Sequence, residues 1–282
     1  MIRRRSAVLV TLLAALCSVL MFPARALAEK LSAGTTQAWD RYLAWADAKN
    51  QREISDPRGF LFEDFLPPQE RAKVIQDLLA GDIIVKRVVG VIPPGVDFKV
   101  PDGEIHHWWG SVLVPGIRLP ELLKFLKDYD HHAGRFAEVE RSRLLSKDGE
   151  SFKFYFRLRR SKSIVTVYYN TWQECTYVPR TPGKVSSRSI ATRIVELENP
   201  GTSSERERPP GDDRGFLWRL VSWWRFEETP QGVIVECQSA SLSRSIPVIV
   251  HIIPGVTGYI RSTPVESLES VLLSVRTYAR ER

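Results

Sequence analysis

Cysteine, methionine and histidine are scarce in this chain of 282 residues, which contains three Cys, two Met and five His. Three cysteines are too few for a scaffold held together by several disulfides. No Cys-x-x-Cys or His-x-x-x-His spacing supports a zinc module. The sequence also has no glycine-rich phosphate loop, heptad run or internal repeat. Because these motifs are absent, the sequence does not favour a nucleotide-binding, metal-binding or repeat protein.

A strongly apolar run occurs near the N-terminus. Arg3, Arg4 and Arg5 precede the run Ala7 to Phe22, and Ala26-Leu27-Ala28 fits a signal-peptidase site before Glu29. The run is short for a membrane-spanning helix and Pro23 follows it. We therefore expect residues 1–28 to be a cleaved signal peptide and the mature protein to be secreted or periplasmic.

The formal charge of the chain falls when residues 1–28 are left out of the count. The whole chain has 40 Lys and Arg against 33 Asp and Glu, a formal charge of +7. Residues 1–28 contain four arginines and no acids, so 36 basic and 33 acidic residues remain, a charge of +3. Nucleic acid is therefore not a predicted partner. An oxidising compartment would permit a disulfide between Cys175 and Cys237, although both read as lying in non-adjacent strands.

Two helices and then a series of strands are predicted after the leader. Residues 37–54 have one apolar side, and Pro67-Pro68 begins a second helix that Gly81 ends. We interpret 29–82 as a helical extension packed on a domain formed by 83–282. That domain starts with two strands and a helix from Leu119, and continues with long strands rich in β-branched and aromatic residues.

A long hairpin dominates the C-terminal part. Its first strand, Phe216 to Phe226, alternates apolar and polar residues, which predicts that Trp218 and Trp224 share the inner face. Arg219 and Arg225 are expected to point outward or to the rim. The returning strand places small groups on its corresponding face, among them Val235, Cys237, Ser239 and Ser241. Large rings opposite small groups suit either a packed sandwich or a sheet that encloses a cavity.

The chain is predicted to end in a helix. Thr263-Pro264-Val265-Glu266 is a capping box with proline at the first helical position. An apolar stripe follows at helical spacing: Leu268, Val271, Leu272, Val275, Tyr278 and Ala279. We expect this stripe to lie on the inner face of the sheet.

The order of these elements resembles the helix-grip fold of the START-like superfamily, which includes lipid-transfer proteins, birch allergens and polyketide cyclase/dehydrase-type proteins. The resemblance covers about residues 83–282 and is to secreted bacterial members in particular. The segments that carry it are Leu122 to Asp130, Phe136 to Glu140, Gly215 to Leu220, Val235-Glu236-Cys237, Ser241 to Arg244 and Glu266-Ser267-Leu268. It implies an α+β fold in which a curved antiparallel sheet wraps round the long C-terminal helix.

The resemblance implies a binding protein for a lipid or other hydrophobic small molecule, held between the sheet and the C-terminal helix. A cyclase/dehydratase-like enzyme using the same cavity is the alternative, and an interaction module with a filled cavity is a third. We predict no cofactor, metal or catalytic residue. The predicted cavity lining comprises Phe156, Arg193, Trp218, Leu220, Trp224, Phe226, Cys237, Ser239, Leu268 and Leu272.

Three features have competing interpretations. His106-His107 and His131-His132 could serve as metal ligands or acid/base groups, but strand neighbours point to opposite faces, so structural roles are favoured. Arg193 either enters the cavity or pairs on the outside with Glu174 or Glu196. The apolar segment 246–260, with Ile249, Ile252 and Ile253, is a candidate lid, a membrane-contacting segment or an additional packed element.

Overall fold

The computed structural model describes residues 31–88, 99–162, 165–245 and 256–280. Ser32 caps the first helix by accepting a hydrogen bond from the Thr35 N–H. The helices are α1 (Ala33–Ile54), a 3-10 helix (Phe62–Phe65), α2 (Pro68–Ala80), α3 (Leu119–Leu126) and α4 (Val256–Arg280). The strands are β1 (Ile83–Arg87), β2 (Gly103–Pro115), β3 (Val139–Asp148), β4 (Ser151–Lys162), β5 (Val165–Thr181), β6 (Lys184–Glu198), β7 (Arg206–Glu207), β8 (Arg219–Thr229) and β9 (Gly232–Arg244).

These strands form one curved antiparallel sheet in the order β1-β2-β9-β8-β6-β5-β4-β3, with β7 paired to β6. The predicted hairpin is present, because β8 and β9 pair along their lengths and a two-residue turn joins Thr229 to Gly232. The sheet has two covered faces. We call the face toward α3 and α4 the inner face and the face toward α1 and α2 the outer face.

The inner face carries the main core, where Val112, Val235, Leu122 and Leu272 pack together. On the outer face, α1 contributes Trp39, Tyr42 and Ala46 to a second cluster with residues of β8 and β9. Val74 and Leu78 of α2 form a third cluster with Trp109 of β2. The α+β fold and the helical content of residues 31–82 therefore agree with the sequence prediction. The sheet lies between the N-terminal helices and the C-terminal helix.

Helix α4 is longer than predicted. It begins at Val256, so Pro264 lies inside the helix and does not start it. A proline in a helix removes one main-chain hydrogen bond but does not forbid a preceding turn. Further along, Gly110 allows close approach to β2, because a Cβ there would lie 2.6 Å from Leu272 Cδ1. Neither α4 nor another helix in the described ranges is both long and apolar enough to cross a membrane.

Charged residues are buried where the N-terminal segment covers the outer face. Arg225 lies on this face, but its predicted exposure is wrong, since its side chain is fully buried. The guanidinium donates to Asn50 Oδ1 at 2.8 Å and to the Phe60 carbonyl at 2.9 Å, and it pairs with Glu53 at 2.5 Å. Glu236 of β9, which lies opposite Arg225, is equally buried. The alternation identified the face correctly but could not show that it is covered.

Candidate functional site

A cavity of about 240 Å3 lies between the inner face of the sheet and α4. Strands β4, β5, β6, β8 and β9 form its floor and walls, and the segment after α3 contributes from the side. Aromatic rings make up much of the surface, including Tyr129, Phe154, Phe156, Trp224 and Phe226. Pockets with mostly apolar walls and a few polar groups bind small molecules.

The aromatic wall follows from strand geometry. Along β4, Phe154, Phe156 and Leu158 alternate with Tyr155 and two arginines, so their side chains share the inner face. Tyr129, which follows α3, stacks on Phe154 with ring centroids 4.0 Å apart and an angle of 13°. Such pairs contribute about 0.5–1.5 kcal/mol beyond their buried area. The wall is therefore held by contacts among its own rings.

Small polar side chains line the part of the cavity formed by β6, β8 and β9. Ser187 and Ser189 come from β6, Ser222 from β8, and Ser239 and Ser241 from β9. The sequence indicated small groups on β9 but not the matching serines on β6 and β8. The only available signal was the alternation of serine with larger residues along each strand.

Seven of the predicted lining residues face the cavity: Phe156, Leu220, Trp224, Phe226, Cys237, Ser239 and Leu268. Their contribution to ligand binding stays a prediction. Leu272 is fully buried in the main core and is not part of the lining. It packs over Gly110, one helical turn beyond Leu268. Val271 occupies the lining in its place.

Trp218 was predicted on the inner face, and this is wrong. Its ring packs in the outer cluster with Trp39 and Trp223. Arg219 pairs with Leu242, and the Trp218 N–H also donates to the Leu242 carbonyl at 2.8 Å. Trp218 and Arg219 therefore both lie opposite Leu242. Such an irregularity reverses the alternation of side chains between the two faces of the sheet.

Arg193 was also predicted in the cavity, and it lies outside. Gln173 pairs with Ala191 while Trp172 pairs with Arg193, so Thr192 is an extra residue in β6. This bulge turns Arg193 to the opposite face from Ser189. There its guanidinium stacks over the Trp172 ring at 4.2 Å and pairs with Glu207. The outside interpretation was correct, but the partner is neither Glu174 nor Glu196.

The four paired histidines occupy separate environments. His106 lines the cavity and contacts Ser243 Oγ at 3.0 Å, whereas His107 lies on the outer side and bonds to the Tyr42 hydroxyl at 2.7 Å. His131 pairs with Asp128 at the surface. His132 lines the cavity among aromatic rings, and burial lowers its pKa to about 4. No three His, Cys, Asp or Glu side chains of the described residues are grouped to hold a metal ion.

One ion pair lies in the cavity lining. Arg160 Nε of β4 is 3.1 Å from Glu138 Oε2, and the Ser267 hydroxyl of α4 donates to Glu138 Oε1 at 2.7 Å. These three residues connect the sheet wall, the segment before β3 and the helix. The sequence contained no signal for this arrangement, because the three residues come from separate parts of the chain.

Both described cysteines are free thiols and line the cavity. Cys175 lies on β5 and Cys237 on β9, with β6 and β8 between them in the sheet. Burial raises the pKa of both thiols, which makes them weak nucleophiles at neutral pH. The candidate lid residues Ile249, Ile252 and Ile253 lie outside the described residues, and their role stays a prediction.

No protein-family model matches the sequence, and the search of curated proteins found no match. Among solved structures, a STAR-related lipid transfer protein from Xanthomonas axonopodis is 18% identical with a TM-score of 0.45. Its alignment covers 64% of this chain and 96% of that chain. Human STARD10 is 9% identical with a TM-score of 0.42, covering 81% and 86%. The Zhui aromatase/cyclase from Streptomyces sp. R1128 is 12% identical with a TM-score of 0.41, covering 64% and 96%.

At these identities and TM-scores the likenesses carry no argument about this chain. The architecture itself, a curved antiparallel sheet with a long C-terminal helix against its inner face, is the helix-grip arrangement that the sequence predicts.

Proposed function

We propose that the protein binds a lipid or another hydrophobic small molecule between the sheet and α4. The observation that supports this is the cavity, which is lined by aromatic rings on one side and by Leu268 and Val271 of α4 on another. Burial of apolar ligand surface contributes about 25 cal/mol per Å2. Binding therefore requires no covalent chemistry, and the polar groups in the lining serve to orient the ligand.

A cavity-filling substitution tests this proposal. Ser239→Phe adds a ring to the cavity floor, so the affinity for phenylnaphthylamine, an uncharged fluorescent probe, is expected to fall by about tenfold or more. Fluorescence titration gives the affinity, and circular dichroism shows whether the fold and melting temperature are retained. Ser204→Phe, in an exposed loop, is the matched control. A folded Ser239→Phe protein with unchanged affinity would place the binding site elsewhere. Wild-type protein that binds no probe would contradict the proposal itself.

The alternative is a cyclase/dehydratase-like enzyme that uses the same cavity. The observation that favours it is the position of His132, whose ring lines the cavity 5.1 Å from that of Tyr129. Burial lowers the pKa of His132 to about 4, so the ring is neutral at pH 7 and a weak general base. Mass spectrometry of molecules retained from the native host identifies the ligand. Incubation of that ligand with fresh protein then separates the two functions. A new product that His132→Gln fails to form supports the enzyme, and an unchanged ligand supports the binding protein.

Export of the protein is part of this proposal and rests on residues 1–28. We expect the protein in an envelope fraction to begin at Glu29, as measured by N-terminal peptide mass spectrometry. Ala28→Leu places a bulky residue at the cleavage site and is expected to leave the leader attached. An intact Met1 on protein recovered from the cytosol would contradict export.

A further inference from the structure

Three hydroxyl groups form a row across the cavity floor. Ser189 of β6 pairs with Ser222 of β8, which in turn pairs with Ser239 of β9. All three line the cavity. Neighbouring strands lie about 4.8 Å apart, so directly paired residues place their hydroxyls at that spacing. The row is thus a consequence of strand register.

Neutral polar groups continue the row on both sides. On one side, Cys175 of β5 is the partner of Ser189. Near it, the Tyr129 and Tyr177 hydroxyls are 3.1 Å apart. On the other side, His106 of β2 pairs with Ser241 of β9. The cavity therefore has a polar side of uncharged groups that faces its aromatic wall.

The hydroxyl of Ser187, on this polar side, is buried and weakly hydrogen-bonded. Ser187 is 5% exposed and lines the cavity, and its Oγ bonds to no nitrogen or oxygen of the described residues, with the thiol of Cys175 as its one hydrogen-bonding contact there. The neighbouring thiol of Cys175 is only a weak hydrogen-bonding group. A buried unsatisfied polar group carries a free-energy cost. A ligand oxygen in the cavity would remove this cost by bonding to Ser187.

The other hydroxyls retain capacity for a ligand. Ser222 Oγ accepts a hydrogen bond from Trp224 Nε1 at 3.0 Å, and Ser189 Oγ donates to Gln173 Oε1 at 3.3 Å. Each serine hydroxyl can donate one hydrogen bond and accept two. These internal bonds therefore orient the hydroxyls while leaving acceptor or donor positions open.

Charge in the lining disfavours an anionic ligand. The described lining residues include one acidic side chain, Glu138, and one arginine, Arg160, and the two pair with each other. Lys127 lies behind the Tyr177 ring and pairs with Glu150, outside the lining. The Arg160 Nε–H makes no hydrogen bond to Glu138, but the Glu138 charge offsets that of the guanidinium. A carboxylate or phosphate in the cavity would lose its hydration and be repelled by Glu138.

We propose that the ligand is an uncharged molecule with a flat apolar skeleton and hydroxyl or carbonyl oxygens along one edge. That edge lies along the row Ser189, Ser222 and Ser239 and beside Ser187, which is two residues from Ser189 on β6. The skeleton lies against Phe154, Phe156 and Trp224. This proposal rests on the proposed binding function and specifies the class of ligand for the same cavity.

Competition against bound phenylnaphthylamine tests the proposal with three molecules of one skeleton. Anthracene has no oxygen, danthron is an uncharged dihydroxyanthraquinone with three of its four oxygens along one edge, and anthracene carboxylate is an anion. We expect danthron to compete best. The double variant Ser187→Ala with Ser189→Ala, two neighbours on one face of β6, is expected to weaken danthron binding about tenfold, since two hydrogen bonds are lost. Its affinity for anthracene should stay within about twofold of wild type.

The control removes two exposed hydroxyls, Ser146→Ala with Ser204→Ala, and is expected to leave all three affinities unchanged. Stronger competition by the carboxylate, or an equal loss of affinity for all three molecules in the Ser187/Ser189 variant, would overturn the proposal. So would unchanged danthron affinity in that variant, provided that circular dichroism shows a folded protein. Failure of phenylnaphthylamine itself to bind would instead contradict the proposed binding function.

Discussion

Replacing Arg225 by methionine is expected to lower the free energy of unfolding by about 3–5 kcal/mol, the usual effect of removing one partner from a buried ion pair. The side chain is fully buried, and Glu53, Asn50 and the Phe60 carbonyl all accept hydrogen bonds from it. Methionine fills most of the volume but leaves these acceptors without their donor. The loss is therefore electrostatic and not a packing defect.

Urea denaturation at neutral pH measures the change. Arg193→Met is the matched control, because Arg193 also pairs with a glutamate, Glu207, but its side chain is 51% exposed. Exposed pairs contribute about 0–1 kcal/mol. Comparable losses for the two variants would show that Arg225 is solvated in solution, and would contradict the covered outer face.

Arg225 also lies on a strand whose two faces contact different parts of the protein. Arg225 lies between Trp224 and Phe226 on β8, so the strand contacts the N-terminal segment on one side and the cavity on the other. If the N-terminal segment detached, Arg225 and Glu236 would lose the contacts that hold this strand on its outer side. The N-terminal segment thus stabilises the strand that carries part of the cavity wall.

Period-two alternation predicted the cavity side of β8 and β9 wherever the strands are regular. Leu220, Trp224, Phe226 and Cys237 all face the cavity. Prediction failed beyond an irregularity, as at Arg193, where a one-residue bulge reverses the faces. A bulge depends on hydrogen bonds with a neighbouring strand, and the pattern of one strand does not contain that information.

Residues in the connections between helices and strands could not be assigned from patterning. Tyr129, His132 and Glu138 follow α3, and tertiary packing places them in the cavity. The buried charges were read as exposed because charged residues are rarely buried without partners. The partner of Arg225 is Glu53, 172 residues earlier, and no local spacing reveals a pair at that distance.

A second large effect is expected from the pH dependence of stability, through Glu63 in the 3-10 helix. Its side chain is fully buried against the outer face, and Ser111 Oγ donates to its Oε1 at 3.3 Å. Burial raises the pKa of Glu63 well above its ordinary value of 4.5, and the nearby negative charge of Glu236 raises it further. Glu236 accepts hydrogen bonds from the Phe62 N–H and from Gln238, and it contacts Arg225.

The direction of the pH effect follows from this raised pKa. Above pH 4.5 the unfolded chain loses the Glu63 proton while the folded chain retains it, so stability falls as pH rises toward the folded-state pKa. Above the folded-state pKa the loss is complete and constant. Each unit of pKa elevation corresponds to about 1.4 kcal/mol. Below pH 4.5 both states are protonated and the group contributes no pH dependence.

Glu63→Gln removes this titration while keeping an oxygen that can accept the Ser111 bond. We expect the variant to match the wild type at pH 4.5 and to become progressively more stable than it toward pH 8, as measured by urea denaturation across the range. Glu70→Gln, at an exposed position in the first turn of α2, should give a curve parallel to the wild type. Parallel curves for Glu63→Gln as well would mean that Glu63 is ionised in the folded protein. The buried carboxyl pair would then have to be stabilised by water or by movement of the 3-10 helix away from the sheet.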